Sequence, residues 1–286
     1  MKATTDAAAQ SSISIAFSLL DKDQVSSGSF RLKLISMKIL FPHRYAFGDL
    51  AKLSSFLEFT NRVLPFLLIV TALYFALGLY YSFASDADYQ QGEMIRIMYI
   101  HVPAAWTALL CYTVMTASAI GSLVWRHPLA DIAVRSAAPL GAAFAFVSLI
   151  TGAIWGRPIW GTWWAWDARL TSMFVLFIMY LGILAINRVI SEPVRAARGT
   201  SVLTIVGFVN IPIIKFSVNW LNTPHQPPSV LRIGNPTLDI EFLRPLLIMC
   251  LAFIALFVTL HIASIRNEIW RRRLISQSRL ASSADA

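Results

Sequence analysis

Six long apolar runs constrain the fold of this chain more than any other feature of its sequence. They span about residues 63–83, 97–125, 136–155, 171–190, 201–218 and 245–265. A transmembrane helix needs about 20 consecutive apolar residues, so each run is close to the length that crosses a bilayer. Charged residues make up only 14% of the chain, well below the roughly 25% of soluble domains. The sequence therefore predicts an all-α integral membrane protein, a bundle of six transmembrane helices, and excludes a soluble globular or intrinsically disordered chain.

The distribution of basic residues predicts the orientation of this bundle. Cytoplasmic connections of membrane proteins carry an excess of Lys and Arg. With the N-terminus in the cytoplasm, eighteen of the 24 basic residues fall in the arm before the first run, in residues 126–135 and 188–198, and in the tail after residue 265. Both termini are therefore predicted to be cytoplasmic. The formal net charge of +9 follows from this topology beside the lipid bilayer, and a nucleic-acid partner is not expected.

The chain divides into three predicted parts. Residues 1–61 are expected to form a cytoplasmic N-terminal arm that is partly disordered, residues 62–266 the six-helix membrane domain, and residues 267–286 a basic cytoplasmic tail. Within the arm, apolar residues at helical spacing predict a short amphipathic helix on the membrane surface, namely Leu50, Leu53, Phe56 and Leu57.

A tryptophan-rich segment, residues 155–171, lies in the predicted external connection between the third and fourth runs. It holds five of the nine tryptophans of the chain, namely Trp155, Trp160, Trp163, Trp164 and Trp166. Tryptophan also favours the headgroup level of membranes, but such an aromatic belt is spread over both faces, whereas these residues are local and one-sided. Gly152, Gly156 and Gly161 would let the backbone pack closely or turn sharply there. The segment is suited to bind a large planar aromatic ligand at the membrane surface.

Two arginines and one acidic residue accompany the tryptophans. Arg157, Asp167 and Arg169 lie in the same segment, and an unpaired charge in a half-desolvated position is costly. Two interpretations are open. Either Asp167 and Arg169 form an ion pair that fixes the segment, or Arg169 or Arg157 receives a carboxylate of the ligand through its bidentate guanidinium.

The predicted topology sorts the five histidines into two groups. His43, His127 and His261 fall on the cytoplasmic side, where His261, near the end of the sixth run, can interact favourably with a helix C-terminus; no function is expected for these three. His101, at the outer end of the second run, and His225, after the fifth run, fall on the side of the tryptophans. Two neutral imidazoles from different segments can ligate a haem iron from opposite faces. A zinc site would need four ligands, and this face has no cysteine.

The placement of these two histidines bears on the kind of haem protein. A quinone-linked b-type redox cytochrome would hold its histidines deep between paired helices, whereas His101 and His225 lie at the edge of the membrane. A haem-conducting transporter subunit would bind near the midplane and line its whole depth with polar or small residues. A site that holds haem for transfer fits best, with these two functions as alternatives. No set of catalytic residues stands out beyond Asp167, so an enzyme is not expected.

The motif WGTWWAWDARLT at residues 160–171, flanked by His101 and His225, resembles the tryptophan-rich WWD family of haem-handling membrane proteins. The resemblance covers about residues 62–266 and includes similar blocks at residues 88–92, 98–106 and 222–226. It implies that haem b is bound transiently at the periplasmic face of the bacterial inner membrane, with His101 and His225 as axial ligands of the iron.

The resemblance also implies a place in the biogenesis of c-type cytochromes. It implies delivery of the haem to the chaperone CcmE, with the small membrane protein CcmD and the transporter subunits CcmA and CcmB as further partners. The implied haem contacts are the five tryptophans of the segment together with Arg157, Asp167 and Arg169.

Overall fold

The structure, a computed structural model, describes residues 52–220, 225, 230 and 237–284. A short 3-10 helix at Glu93–Ile97 precedes α2, and the α-helices are α1 (Leu53–Ala84), α2 (Met98–Trp125), α3 (Pro128–Trp160), α4 (Ala168–Val189), α5 (Pro193–Gly207), α6 (Asn210–Trp220) and α7 (Ile240–Ala284). Across the described residues, six helical segments are long and apolar enough to cross a membrane, with α5 and α6 together forming one of them. The chain is a multi-pass helical membrane protein, and the predicted six-helix architecture is confirmed.

Several helices extend beyond the apolar runs that predicted them. α1 begins at Leu53, α3 runs on to Trp160, and α7 continues to Ala284. An apolar run ends where charged residues begin, but a helix does not, because Glu and Arg have high helix propensities. In α7, Glu268 accepts hydrogen bonds from Arg271 and Arg272, and pairs at this spacing stabilise a helix. Most of the predicted basic tail is therefore the last part of α7.

The extension of α7 changes the surroundings of His261. This residue lies in the middle of a long helix, so the expected interaction with a helix C-terminus is wrong. Its ring is buried and stacks on Phe257, with the ring centroids 5.3 Å apart. Its Nε2 atom lies 3.0 Å from the carbonyl oxygen of Ala133. His261 therefore connects α7 to α3 inside the bundle.

The apolar residues that predicted a separate surface helix belong to the first turns of α1. Leu53, Phe56 and Leu57 pack against buried side chains of α3 and α7, namely Leu129, Ile132, Ile265 and Ile269. The expected apolar face exists, but helices of the same chain cover it. Leu50 and His43, like all of residues 1–51, lie outside the described residues.

The fifth membrane segment is interrupted, although one continuous helix over residues 201–218 is predicted. α5 ends at Gly207 and α6 starts at Asn210. A Cβ atom on Gly207 would lie 2.1 Å from the hydroxyl oxygen of Tyr112 on α2, so only glycine permits this close approach of the two helices. The side-chain amide of Asn210 donates a hydrogen bond of 2.8 Å to the carbonyl oxygen of Ser172 on α4. This hydrogen bond connects the start of α6 to α4.

The pairing of α2 with α3 determines where the candidate site forms. Only Arg126 and His127 connect the two helices, and Arg126 adopts the left-handed conformation with φ of 49°. Helices joined by such short connections pack antiparallel. The start of α2, which carries His101, therefore stands beside residues 148–155 near the end of α3.

Candidate functional site

The predicted tryptophan-rich segment is partly helix and partly connection. α3 continues to Trp160 and ends at Gly161, whose left-handed φ of 72° lets the chain turn and whose N–H donates to the carbonyl oxygen of Arg157. The guanidinium of Arg157 in turn donates to the carbonyl oxygen of Gly161. The chain then runs to Asp167, after which α4 begins. The sharp turn expected at Gly161 is therefore present.

His101 lies in the first turn of α2 with its ring against α3. Its Nδ1 atom is 2.9 Å from the carbonyl oxygen of Ser148. The imidazole meets the indole of Trp155 edge to face, with the centroids 5.7 Å apart. A ring nitrogen that donates to a carbonyl leaves the other nitrogen with a free lone pair. His101 is thus arranged to present Nε2 as a ligand.

His225 is held in the same way by a different group. Its Nδ1 atom lies 2.5 Å from Oδ2 of Asp167, and its ring centroid lies 4.7 Å from that of Trp160. Burial lowers the pKa of His225 from its ordinary value of 6.5, although the carboxylate of Asp167 opposes this effect. Asp167 is 8% exposed, and its other oxygen accepts a hydrogen bond from the backbone N–H of Leu170, which caps the start of α4.

The fold brings the two predicted ligands to one place. His101 contacts Trp155 and His225 contacts Trp160, and both tryptophans lie near the end of α3. Each imidazole has its Nδ1 atom beside an acceptor. A metal-bound histidine commonly donates its other N–H to a carboxylate or backbone carbonyl, which fixes its tautomer and its orientation. The two histidines therefore have hydrogen-bond partners of the kind that metal-binding histidines commonly have.

The five tryptophans do not form a single surface. Trp155 and Trp160 lie beside the imidazoles, whereas Trp163 and Trp166 point outward, with 59% and 80% of their surface exposed. Trp164 packs against Trp166, and its ring also meets that of Phe174 on α4 at 5.8 Å. Two aromatic residues thus flank the histidines, and two are available to a ligand edge or to another protein.

The structure tests one of the two interpretations of the charged residues, the ion pair between Asp167 and Arg169. Asp167 pairs with His225, and in the part of the chain that the structure describes neither Arg157 nor Arg169 forms an ion pair with a carboxylate. The Nε1 atom of Trp164 is buried and has no acceptor among the same residues. The expected ion pair between Asp167 and Arg169 is therefore not formed, and the binding of a ligand carboxylate by Arg157 or Arg169 stays a prediction.

Two contributors to the site do not follow from side-chain patterns. The acceptor for His101 is a backbone carbonyl, which every residue has, so no sequence signal could single out Ser148. Gln91 accepts a hydrogen bond of 2.9 Å from Nε1 of Trp155, and the only indication of this residue is that it lies in the family-like block at residues 88–92. Of the block at residues 222–226, only His225 lies within the described residues.

The fold and this site together define a polytopic helical membrane protein with a histidine pair and a tryptophan-rich surface at one end of its bundle. Residues 46–280 match the family model CcmC, described as heme exporter protein C. The chain belongs to this family.

Individual relatives agree with this assignment. The heme exporter protein C of Bradyrhizobium diazoefficiens is 55% identical over 242 residues, which cover 83% of this chain and 92% of the relative. The protein of the same name from Haemophilus influenzae is 41% identical, over 73% of this chain and 85% of the relative. A putative cytochrome c biosynthesis ccmC-like mitochondrial protein of Marchantia polymorpha is 44% identical, over 62% of this chain and 75% of the relative.

Proposed function

We propose that this protein binds haem b at the periplasmic face of the bacterial inner membrane and delivers it to the haem chaperone CcmE during c-type cytochrome biogenesis. The names of its relatives, heme exporter protein C and cytochrome c biosynthesis protein, support the haem and the pathway. The positive-inside distribution of Lys and Arg supports the periplasmic face. CcmD, CcmA and CcmB are the further partners that we propose.

The arrangement of the two histidines carries this proposal. Nδ1 of His101 lies beside the carbonyl of Ser148, and Nδ1 of His225 lies beside the carboxylate of Asp167. With Nδ1 so engaged, Nε2 of each ring would be the atom that binds the iron, as in bis-histidine haem sites. Trp155 and Trp160 would contact the ring beside its ligands, and Arg169 and Arg157 would receive the propionates through charge-assisted hydrogen bonds.

The position of the ligands favours delivery over the two alternatives. His101 lies in the first turn of α2, and therefore at one end of the bundle and not at its middle. A haem-conducting transporter subunit would bind near the bilayer midplane, and a quinone-linked b-type cytochrome would hold its haem deep between helices. A site at the bundle end leaves the haem accessible to a partner outside the membrane. The proposal needs no catalytic step by this chain.

The absorbance spectrum of the detergent-purified protein tests the proposed ligands. We expect a Soret band and low-spin haem bands in the wild type, and large losses of haem in His101→Ala and His225→Ala. His127→Ala is the matched control, because this residue lies in the connection before α3, at the opposite end of α2. Imidazole added to His101→Gly should restore the six-coordinate spectrum. Full haem content in the double variant His101→Ala/His225→Ala would overturn the proposal.

The delivery step needs a separate measurement. The exposed pair Trp163 and Trp166 can be replaced by alanine without touching either histidine. We expect this double variant to bind haem more weakly, by about 0.5–1.5 kcal/mol for each ring, and to transfer a smaller share of the haem it retains to co-expressed CcmE. Transfer is measured as the haem that co-purifies with each protein. If this variant transfers haem as well as the wild type does, the two tryptophans have no part in delivery and only form an aromatic belt at the membrane surface.

A further inference from the structure

The ring of His101 sits in a slot on the surface of α3 that is formed by Ser148, Thr151 and Gly152. Besides the contact with the carbonyl of Ser148, its Nδ1 atom lies 3.2 Å from Oγ1 of Thr151. Gly152 lies directly against the imidazole. A Cβ atom built on this residue would lie only 2.8 Å from Cε1 of His101. These three residues lie within little more than one turn of one helix, so a rigid element shapes the slot.

The hydrogen bonds within the slot determine which ring nitrogen carries the proton. The hydroxyl of Thr151 is 2.7 Å from the carbonyl oxygen of Val147 and 3.2 Å from that of Ser148, and it donates to one of them. Its oxygen therefore faces His101 as an acceptor. Nδ1 then has two acceptors as neighbours, and only the tautomer with its proton on Nδ1 satisfies them. The lone pair of the neutral ring is left on Nε2, where an iron ligand needs it.

The missing side chain of Gly152 determines how closely the ring approaches α3. A Cβ atom would also lie 3.3 Å from Nδ1, and ordinary contacts between such atoms begin near 3.4 Å. The imidazole is the mobile end of a side chain, whereas the Cβ atom would be fixed to the helix. An added methyl group would therefore displace the ring and leave α3 intact. Alanine also has a helix propensity about 1 kcal/mol better than that of glycine, so stability should not suffer.

We propose that Gly152 and Thr151 are positioning residues that hold His101 in the tautomer and orientation needed to bind the haem iron. This inference rests on the proposed function, because it assumes that His101 is an iron ligand. Outer-shell partners of a metal-binding histidine typically change metal affinity by about 10–100-fold. Because Gly152 has no side chain, the slot has room for the imidazole, and Thr151 supplies the second acceptor for Nδ1.

Gly152→Ala tests the proposal directly. We expect the variant to fold with wild-type or slightly higher thermal stability and to bind haem about 10–100-fold more weakly, with a spectrum in which one strong axial ligand is missing. Added imidazole should restore the six-coordinate spectrum, because a free ring can approach the iron without the constraint of the His101 backbone. Gly182→Ala in α4 is the control, because its Cβ atom would meet only Leu203 at 3.4 Å.

Thr151→Val removes the hydroxyl with little change in shape, and it should cost less affinity than Gly152→Ala because the carbonyl of Ser148 remains. A double-mutant cycle then links the effect to its target. In a His101→Ala background, Gly152→Ala should cause no further loss of haem. A further loss there would show that Gly152 acts elsewhere and would overturn the proposal.

The outcomes separate this inference from the proposed function on which it rests. Full haem binding by His101→Ala would refute the role of His101 as a ligand and, with it, the proposed site. Loss of haem in His101→Ala together with wild-type binding and spectrum in Gly152→Ala would refute only the positioning role.

Discussion

Asp167 serves two neighbours at once, and replacing it with asparagine should separate its two roles. Oδ1 accepts a hydrogen bond of 2.8 Å from the backbone N–H of Leu170, and Oδ2 lies 2.5 Å from Nδ1 of His225. Asparagine caps helices about as well as aspartate, so its carbonyl oxygen would keep the contact with Leu170. Its NH₂ group would then face His225, and that group only donates. This favours the tautomer of His225 with its proton on Nε2.

An imidazole with its proton on Nε2 has no lone pair there to offer to the iron. Loss of an outer-shell partner lowers metal affinity by about 10–100-fold, which is about 1.4–2.8 kcal/mol of binding free energy. We therefore expect Asp167→Asn to lose haem affinity by this factor, while the free energy of unfolding changes by roughly 0.3 kcal/mol or less. Asp167→Ala removes the cap as well, so it should also lose about 0.5–2 kcal/mol of stability.

The assay is a titration of the haem-free protein with haem in detergent, followed at the Soret band, with thermal unfolding of the same preparations. Asp86→Asn is the control for the loss of one negative charge, because Asp86 is exposed and lies after α1 at the same end of the bundle. If Asp167→Asn binds haem as tightly as the wild type, Asp167 is a helix cap only and the reasoning about His225 is refuted. An equal loss of stability in both Asp167 variants would contradict the separation of the two roles.

Three further predictions follow from the structure. The ring of Trp163 is exposed and lies 6.0 Å from the guanidinium of Arg157, so Trp163→Ala should weaken haem retention during repeated gel filtration only several-fold, since one aromatic contact contributes about 0.5–1.5 kcal/mol. Gly141→Ala would place a Cβ atom 2.2 Å from the buried ring of Tyr180, and we expect this overpacking to cost about 1–3 kcal/mol of stability, seen as a lower melting temperature. Burial lowers the pKa of His225 below 6.5, so on acidification the imidazole is protonated in the unfolded chain before it is protonated in the folded protein. The free energy of unfolding and the haem affinity should therefore both be constant above neutral pH and decrease as the pH falls below 6.5. Haem affinity that falls on raising the pH from 6 to 8 would contradict this sign.

The differences between the predicted and observed helices have a common cause. The break between α5 and α6 is not predicted, because Gly207 and Asn210 are both tolerated within an apolar run. The groups that these two residues approach, the hydroxyl of Tyr112 and the carbonyl of Ser172, belong to other helices. The expected surroundings of His261 are wrong for a similar reason, since α7 continues where its apolar run ends. A pattern read along one segment contains no information about the partners that packing supplies.

The sequence by itself determined the number of membrane segments and the tryptophan-rich segment, and it placed the two candidate histidines on one side. Each of these depends on run length, on local composition or on the distribution of Lys and Arg, all of which are properties of neighbouring residues in the chain. Only the tertiary structure decided which group lies beside Nδ1 of each imidazole, because a hydrogen bond depends on its partner. Those partners, the carbonyl of Ser148 and the carboxylate of Asp167, lie 47 and 58 residues away from the histidines that they orient. The same packing brings Gly152 against the ring of His101, a contact that no spacing rule in the sequence predicts.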